Sequence, residues 1–287
     1  MRSTLRLVTY NIQRGIDYDQ IRTHFATVPA LAEADIVAVQ EALVPAGGRN
    51  TLARLADHLE GGYRWTYRTV MSYPDKEYGN GFLFRPSATP VAGELVPLPR
   101  VDRLGWVARL KTEGGVPDTK SAFAQVFMVA GRRVRVASVH LDFAGGATHR
   151  ARQLGHLLGA LDRSAAGAAG GIVNVVCGDF NTTGHYRSSA AGVTTGRVLA
   201  VALARGFTDC SGAVPWTNDL FSSIDDADPA RRLLRVGRAL GLRYRQKLDH
   251  VLVKGARPVA PATAVAGPGG GHLPGSDHVP VSVELRL

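Results

Sequence analysis

Carboxylate, amide and imidazole side chains recur at the ends of the strands that this sequence predicts. Carboxylate and amide oxygens are ligands for hard divalent cations, and imidazoles exchange protons near neutral pH. A rigid scaffold can aim polar groups at strand ends towards one point. Taken alone, an aspartate after a strand is usually a turn or helix cap, and a single histidine is usually solvated. The residues concerned are Asn11, Glu41, His140, Asp142, Asp179, Asn181, Asp249, Asp277 and His278.

Short apolar runs predict the strands that would position these side chains. Residues 134–139 and 279–287 alternate apolar and polar side chains, which indicates strands with one covered face. Residues 172–176 and 251–253 are apolar throughout, as expected for strands covered on both faces. Further strands are predicted over 5–10, 36–39, 81–84 and 123–129.

Helical spacing of apolar residues predicts helices between the strands. Three stripes lie within 52–59, 154–161 and 198–204. A fourth helix is predicted to begin at Asp228–Pro229, with the aspartate as cap and proline in the first turn, and to end at Gly241. Its spacing predicts that three apolar side chains face inward: Leu233, Val236 and Leu240.

The bulk composition is compatible with one large α+β domain over residues 1–287. A chain of this length with 45% hydrophobic residues can bury a core without disulfides. The mixture of strand patterns and covering helices predicts two packed β-sheets flanked by helices. Cys177 lies in an apolar run, and we interpret it as a buried thiol, which favours a reducing compartment.

The formal net charge of +10 comes mainly from arginine and predicts an affinity for polyanions. Nucleic acid, acidic lipid headgroups and phosphorylated metabolites are all compatible with it. Coding bias towards arginine is the alternative explanation, because alanine, glycine and valine are also abundant. The sequence contains neither a signal-peptide-like segment nor an apolar run long enough to span a membrane, so we expect a cytoplasmic protein.

Six short motifs together resemble the DNase-I-like endonuclease/exonuclease/phosphatase superfamily in content, order and spacing, from Leu5 to Leu287. The resemblance implies a four-layer α/β/β/α sandwich of two mixed β-sheets, and a divalent-metal-dependent phosphoesterase. The last motif and the Gly-Asp-Phe-Asn motif are the most specific. The motifs are Tyr-Asn-Ile at 10–12, Gln-Glu at 40–41, His-Leu-Asp at 140–142, Gly-Asp-Phe-Asn at 178–181, Leu-Asp-His at 248–250 and Ser-Asp-His at 276–278.

The resemblance implies a role for each principal residue. Glu41, with Asn11 and Asp277 close by, would hold Mg²⁺, for which Mn²⁺ could substitute. On the other side of the phosphorus, Asp179 would orient or deprotonate the attacking water while Asn181 holds that water. His278 would contact the phosphate while paired with Asp249, and both Asp179 and His278 are candidates for activating water. His140 would donate to a phosphate oxygen or to the leaving group.

Three further residues have weaker assignments. Relatives often place a polar residue that lines the site where Asn80 stands, although a glycine-flanked turn explains Asn80 as well. Asp142 could orient a neighbouring side chain or contact substrate, or it could cap a loop. His250 should point away from Asp249 and pack in the core, and Arg150 and Gln153 are interpreted as structural.

The substrate is less well defined than the chemistry, because one scaffold of this kind supports many substrates. We expect a phosphodiesterase acting on nucleic acid, with sphingomyelinase-like or inositol-phosphate hydrolysis as the alternative. The motifs depart from those of abasic-site endonucleases, which makes that branch a poor fit. A non-catalytic binding module is a third interpretation. A site that had lost its catalytic role, however, would have no need to keep several carboxylates that repel one another. No obligate protein partner is indicated.

A run of arginines just before Asp249 could hold a nucleic-acid backbone or anionic headgroups. A solvated helix face is an equally good explanation of these charges. The residues are Arg231, Arg232, Arg235, Arg238, Arg243 and Arg245.

Overall fold

The predicted apolar runs form strands of two large sheets in the computed structural model. The structure describes residues 4–112, 116–165, 171–223, 230–267 and 271–287. In chain order the strands are β1 (Thr4–Asn11), β2 (Ile36–Pro45), β3 (Arg64–Ser72), β4 (Lys76–Phe84), β5 (Ala88–Pro97), β6 (Ser121–Val129), β7 (Arg132–His140), β8 (Val173–Asp179), β9 (Thr208–Asp209), β10 (Asn218–Asp219), β11 (Arg245–Gln246), β12 (Asp249–Lys254), β13 (Arg257–Pro258), β14 (Thr263–Ala264) and β15 (Val281–Arg286).

The helices lie between strands in sequence. They are α1 (Tyr18–Thr27), α2 (Pro29–Ala32), α3 (Thr51–His58), α4 (Trp106–Lys111), α5 (Gly146–Ala165), α6 (Ser189–Leu203) and α7 (Arg231–Ala239). The predicted stripes over 52–59, 154–161 and 198–204 fall on α3, α5 and α6. The side chain of Asn50 accepts a hydrogen bond from the amide of Leu52, so Asn50 caps α3.

Both sheets are mixed. The first sheet has the order β13-β15-β1-β2-β4-β3, with β14 also pairing β15; β1 and β2 run parallel, and its other described pairs are antiparallel. The second has the order β5-β6-β7-β8-β12-β9; β7 and β8 run parallel, and its other described pairs are antiparallel. Two mixed sheets flanked by helices confirm the predicted α+β fold class.

Three apolar layers hold the sheets and helices together. Between the sheets, Phe82 of β4 packs against Phe123 and Phe127 of β6, with ring centroids 5.2 and 5.5 Å apart. Apolar residues of α1, α2 and α3 cover the outer face of the first sheet. Apolar residues of α5 and α6 cover the outer face of the second. Burial of apolar surface on both faces of each sheet therefore produces the four layers.

A buried polar bridge also joins the two sheets, through residues close in sequence to the strand ends that carry the motifs. Gln40 donates to the hydroxyl of Ser138 over 2.9 Å and accepts from Thr9 over 3.2 Å. Asn80 donates to the carbonyls of Ser121 and Ser138 over 3.3 and 3.2 Å. Because buried polar groups are costly unless they are paired, this bridge specifies how the sheets lie against each other.

The prediction for the fourth helix is wrong in its orientation. Leu233, Val236 and Leu240 are 69%, 56% and 72% exposed, and it is Leu234 that is buried. Gly237 lies against the ring of Phe221, so α7 packs through the Leu234 and Gly237 edge. The predicted cap, Asp228–Pro229, lies outside the described residues.

Strands β3 and β5 and helix α1 were not predicted from the sequence. Most residues of β3 and β5 are exposed or half-buried, so these strands lack a strong apolar pattern. Cys177 is a buried free thiol, as expected. None of the described helices is long and apolar enough to span a membrane.

The glycine of the Gly-Asp-Phe-Asn motif is required by the close approach of β7 and β8. Gly178 has a φ of 137°, and a Cβ there would lie 2.0 Å from the carbonyl oxygen of Val139.

We expect Gly178→Ala to lower the free energy of unfolding by at least about 2 kcal/mol in chemical denaturation. Gly192→Ala on α6 is the control, because a Cβ there meets open space and should stabilise by about 0.5–1 kcal/mol. Equal stability of the two variants would contradict this account.

Candidate active site

Strand register aligns three of the predicted site residues across the second sheet. His140 at the end of β7 pairs with Asp179 at the end of the parallel strand β8. Asp179 pairs in turn with Asp249, the first residue of the antiparallel strand β12. Two strands that end at one edge, and a third that begins there, therefore bring the three side chains to a common edge.

The first sheet contributes Asn11, the last residue of β1, and Glu41, which lies within β2 just after the part of that strand that pairs with β1. The side-chain amide of Asn11 donates to Oε1 of Glu41 over 3.1 Å and to Oδ2 of Asp179 over 3.2 Å. Its amide oxygen accepts from the backbone N–H of Gln13 over 3.0 Å. Asn11 thus joins carboxylates from the two sheets, although residue 11 and residue 179 are far apart in sequence.

The Ser-Asp-His motif before β15 reaches the same edge through its serine. The hydroxyl of Ser276 donates to the carbonyl of Asn11 over 2.7 Å and accepts from the amide of His278 over 3.1 Å. This pair of bonds ties the loop to β1. Asp277 lines the resulting cleft beside His278.

His278 and Asp249 form a close, buried pair. Nδ1 of His278 lies 2.7 Å from Oδ2 of Asp249, which leaves Nε2 on the cleft side, 3.7 Å from Oδ2 of Asp179. Burial alone would lower the pKa of His278, but the carboxylates of Asp249, Asp179 and Asp277 together raise it well above its usual value. The imidazole is therefore held in its charged form at neutral pH.

Asp179 occupies the centre of the group. Burial raises its pKa to about 7; Asp249 and Glu41 act in the same direction, while the charge of His278 and the backbone N–H of Asn181 oppose the rise. That N–H donates to Oδ1 of Asp179 over 2.8 Å, and the Asn181 side chain donates to the carbonyl of Leu141. Asn181 therefore orients the carboxylate as well as lining the cleft.

His140 lies between two carboxylates without a short hydrogen bond to either. Its Nδ1 is 3.7 Å from Glu41 and its Nε2 is 3.6 Å from Asp179. Burial, with smaller contributions from Lys120 and His278, lowers the pKa of His140 well below its usual value. A neutral imidazole keeps one N–H available to donate to a bound oxygen.

Unfavourable backbone conformations are concentrated among the residues that line the cleft. Of the five described non-glycine residues with positive φ, four line this cleft: Gln13 (45°), Arg14 (62°), Glu41 (58°) and Asn181 (49°). Glu41 lies in an irregularity of β2, between the paired positions Val39 and Ala42. Such conformations cost about 1–3 kcal/mol each and cluster at functional sites.

The structure does not place Asn80 or Asp142 among the described residues that line the cleft. Asn80 lies in the polar bridge between the sheets described above. Asp142 is buried and accepts from the amide of Ala144 over 3.0 Å, while its own amide donates to Gln153. Burial raises the pKa of Asp142. Both positions suit structural roles, and their part in substrate binding remains a prediction.

Arg150 and His250, which the sequence analysis assigns to structural roles, contact the protein interior and do not line the cleft. The side chain of Arg150 donates to the carbonyls of Asp142 and Phe143 and so holds the loop before α5. His250 is buried beside Phe180 and Thr182, away from the cleft. Burial lowers its pKa to about 4, so it packs in its neutral form.

The cleft has a volume of about 630 Å³ and contains residues that sequence reasoning missed. Lys120 is buried 3.6 Å from Asp118, and Lys76 lies near the rings of Tyr73 and Tyr78. Asn218 donates to the carbonyl of Asp277 over 3.1 Å. These residue types are common on surfaces and in turns, so no local pattern distinguishes them; only the fold brings them to the cleft.

The oxygen donors of the cleft suit a divalent cation that keeps part of its water shell. Within the described ranges, no group of three or more His, Cys, Asp or Glu side chains is arranged as a ready set of metal ligands. The cleft does present the carboxylates of Glu41, Asp179 and Asp277 together. Few carboxylates and open space for water suit Mg²⁺, which keeps several waters and does not need a complete protein cage.

The His278–Asp249 pair makes a direct prediction for pH titration. We expect Asp249→Asn to lower the pKa of His278, because the carboxylate charge that raises it most is removed while burial remains. Less imidazolium would then be present at pH 7. Histidine NMR titration measures this shift, with Asp57→Asn at an exposed position as control. An unchanged titration of His278 in Asp249→Asn would show that the pairing does not set its charge.

Comparison with solved structures finds the same architecture over essentially the whole chain. An endonuclease/exonuclease/phosphatase family protein from Leptotrichia buccalis has 13% identity and a TM-score of 0.67, with 99% of this chain and 100% of that chain covered. D. rerio TDP2 complexed with single strand DNA product has 15% identity and a TM-score of 0.64, with both chains covered completely. A mannosyl-6-phosphatase from Bacteroides thetaiotaomicron has 14% identity and a TM-score of 0.64, covering 99% and 100%. At these identities the likeness shows the fold.

Sequence comparison gives the family. None of the curated proteins compared with this chain matches it significantly. The model of the Endonuclease/Exonuclease/phosphatase family matches residues 8–278, a range that includes every principal residue of the site. Members of that family hydrolyse phosphoester bonds. With the match spanning nearly all of the sequence, the chain belongs to the endonuclease/exonuclease/phosphatase family.

Proposed function

We propose that this chain is a divalent-metal-dependent phosphoesterase, and most specifically a phosphodiesterase. The observation that carries the proposal is the position of Asp179. Its buried carboxylate, at the end of β8, lies beside Asn11 of β1, His140 of β7 and His278 of the loop before β15, so groups from both sheets surround it in a polar cleft. Buried acids with raised pKa values in a cleft are typical of sites that activate water.

Glu41, with Asn11 and Asp277 nearby, would hold Mg²⁺ or Mn²⁺. When bound, such a cation would neutralise charge on a phosphate oxygen and stabilise the leaving oxygen. Glu41 and Asp277 both line the cleft, so their carboxylates are accessible from it. Asn11 presents its amide nitrogen to Glu41, so its part would be to keep that carboxylate in position.

The pKa values divide the acid and base roles among the remaining residues. Asp179, with a pKa near 7, would accept the proton of the attacking water, because a base is most effective when its pKa is close to the working pH. Asn181 would hold that water. His278 is kept charged by Asp249 and would contact a phosphate oxygen. His140 is neutral and would donate its N–H to a phosphate oxygen or to the leaving group.

Nucleic acid is the first candidate for the substrate. The net charge of +10 supports it, and one structural relative was solved with a single strand DNA product. A phospholipid or inositol phosphate is the second candidate, because exposed Leu233, Val236 and Leu240 lie among arginines where a nucleic-acid backbone would leave them in water. We further propose that residues 1–287 act as a single domain, since the family match spans both sheets.

A substrate panel tests this proposal. It would contain supercoiled DNA, single-stranded DNA, RNA, sphingomyelin and inositol phosphates, each with Mg²⁺, with Mn²⁺ and with EDTA. We expect metal-dependent hydrolysis of at least one phosphodiester, and at least about 10²-fold lower kcat for Asp179→Asn, the scale typical of losing an acid–base group.

The matched control is Asp57→Asn, which makes the same change at an exposed position and should retain activity. Equal activity of Asp179→Asn and the parent would remove Asp179 from the mechanism. If no phosphoester is hydrolysed with any metal, a non-catalytic binding module becomes the better interpretation of the chain.

A further inference from the structure

Helix α7 is amphipathic, but only part of its apolar side is covered. Leu234 and Gly237 face the protein, where Gly237 lies against Phe221. Leu233, Val236 and Leu240 recur at helical spacing on the adjacent arc and are all more than half exposed. A helix that needed only to cover the core would not keep three large aliphatic side chains in water.

The apolar exposure continues beyond the helix. Leu242 and Tyr244 follow the end of α7 and are 49% and 36% exposed. Together with Leu233, Val236 and Leu240 they make five large apolar side chains exposed within twelve residues. Single exposed apolar residues are ordinary, whereas a contiguous cluster marks an interaction surface.

Arginines are frequent around this apolar cluster. Arg232 is exposed one helical turn before Val236, on the same side of α7, and Arg235 and Arg238 are exposed further round the helix. Residues 230–247 contain no aspartate or glutamate. Arg243 lies 3.6 Å from the buried carboxylate of Asp219, and Arg245 lies 3.9 Å from it, so these two anchor the segment that follows the helix.

This segment lies at the rim of the catalytic cleft. Phe221, which contacts Gly237, follows Leu220 and precedes Ser223 by two residues, and both Leu220 and Ser223 line the cleft. After Arg245 the chain continues into Gln246 and Leu248, which line it as well. Whatever binds α7 is therefore adjacent to the cleft.

We propose that the α7 surface, defined as Leu233, Val236, Leu240 and Leu242 with Arg232, docks on an anionic lipid surface. Aliphatic side chains would enter the boundary between headgroups and acyl chains, the guanidinium group of Arg232 would contact an acidic headgroup, and the other arginines of α7 would add to the local positive charge. A nucleic-acid backbone would engage the arginines alone and leave the aliphatic cluster in water. The apolar component of the surface therefore favours lipid. The inference concerns where the chain binds, and it does not depend on the proposed catalytic activity.

Vesicle sedimentation tests the docking. The full chain is mixed with phosphatidylcholine vesicles containing phosphatidylserine, and with pure phosphatidylcholine vesicles. We expect binding to the anionic vesicles, reduced by high salt. The triple variant Leu233→Ser, Val236→Ser, Leu240→Ser should bind at least about tenfold more weakly, and Arg232→Gln should lose about fivefold. The control is Val193→Ser on α6, which removes an equally exposed aliphatic side chain and should bind as the parent.

Two outcomes overturn the proposal. One is that the serine triple variant, folded by circular dichroism, binds anionic vesicles as tightly as the parent. The other is that the parent binds duplex DNA but no vesicle, which would assign the arginines to nucleic acid.

A site-specific probe locates the contact directly. The native cysteines are buried, so a polarity-sensitive fluorophore can be attached after Leu240→Cys, with Val193→Cys as control. We expect a blue shift on addition of anionic vesicles for the label at position 240 and none at position 193. Equal shifts at both positions, or no shift at either, would show that α7 is not the docking face.

Discussion

The site depends on one contact between the two sheets, the bridge from the Asn11 amide to the carboxylates of Glu41 and Asp179. Carboxylates this close repel one another, and burial adds to that cost, as the raised pKa of Asp179 shows. The amide of Asn11 and the charged imidazole of His278 offset the repulsion. The buried bridge of Gln40 and Ser138 beneath them holds the sheets at the separation that this contact requires.

Much of the architecture could be predicted because the buried positions of a strand or helix recur in the sequence with the period of that element. Continuous apolar runs predict β8 and β12, and alternation of apolar and polar side chains predicts β7 and β15. The site residues could be grouped because strands end at a common edge, and because their motifs resemble one family. The register that sets His140 beside Asp179, and Asp179 beside Asp249, then follows from strand pairing, which the sequence alone does not specify.

What could not be predicted depends on contacts that leave no local pattern. The spacing of Leu233, Val236 and Leu240 indicates an amphipathic helix equally well whether its apolar side meets the core or a partner, and the inward prediction was wrong. Asn80 carries a polar side chain near the motifs, yet its amide joins two sheets. The positive φ of Glu41 could not be predicted from the sequence, because glycine is the residue that usually adopts such a conformation.

The central claim is that carboxylates from distant segments converge so that they can share one divalent cation. Isothermal titration calorimetry of Mn²⁺ into the parent chain and into Glu41→Gln tests it most directly, with Glu60→Gln at an exposed position as the matched control. The account predicts saturable binding to the parent and to Glu60→Gln, and binding at least about tenfold weaker to Glu41→Gln. Absence of uptake by the parent, or equal affinity in all three proteins, would contradict it.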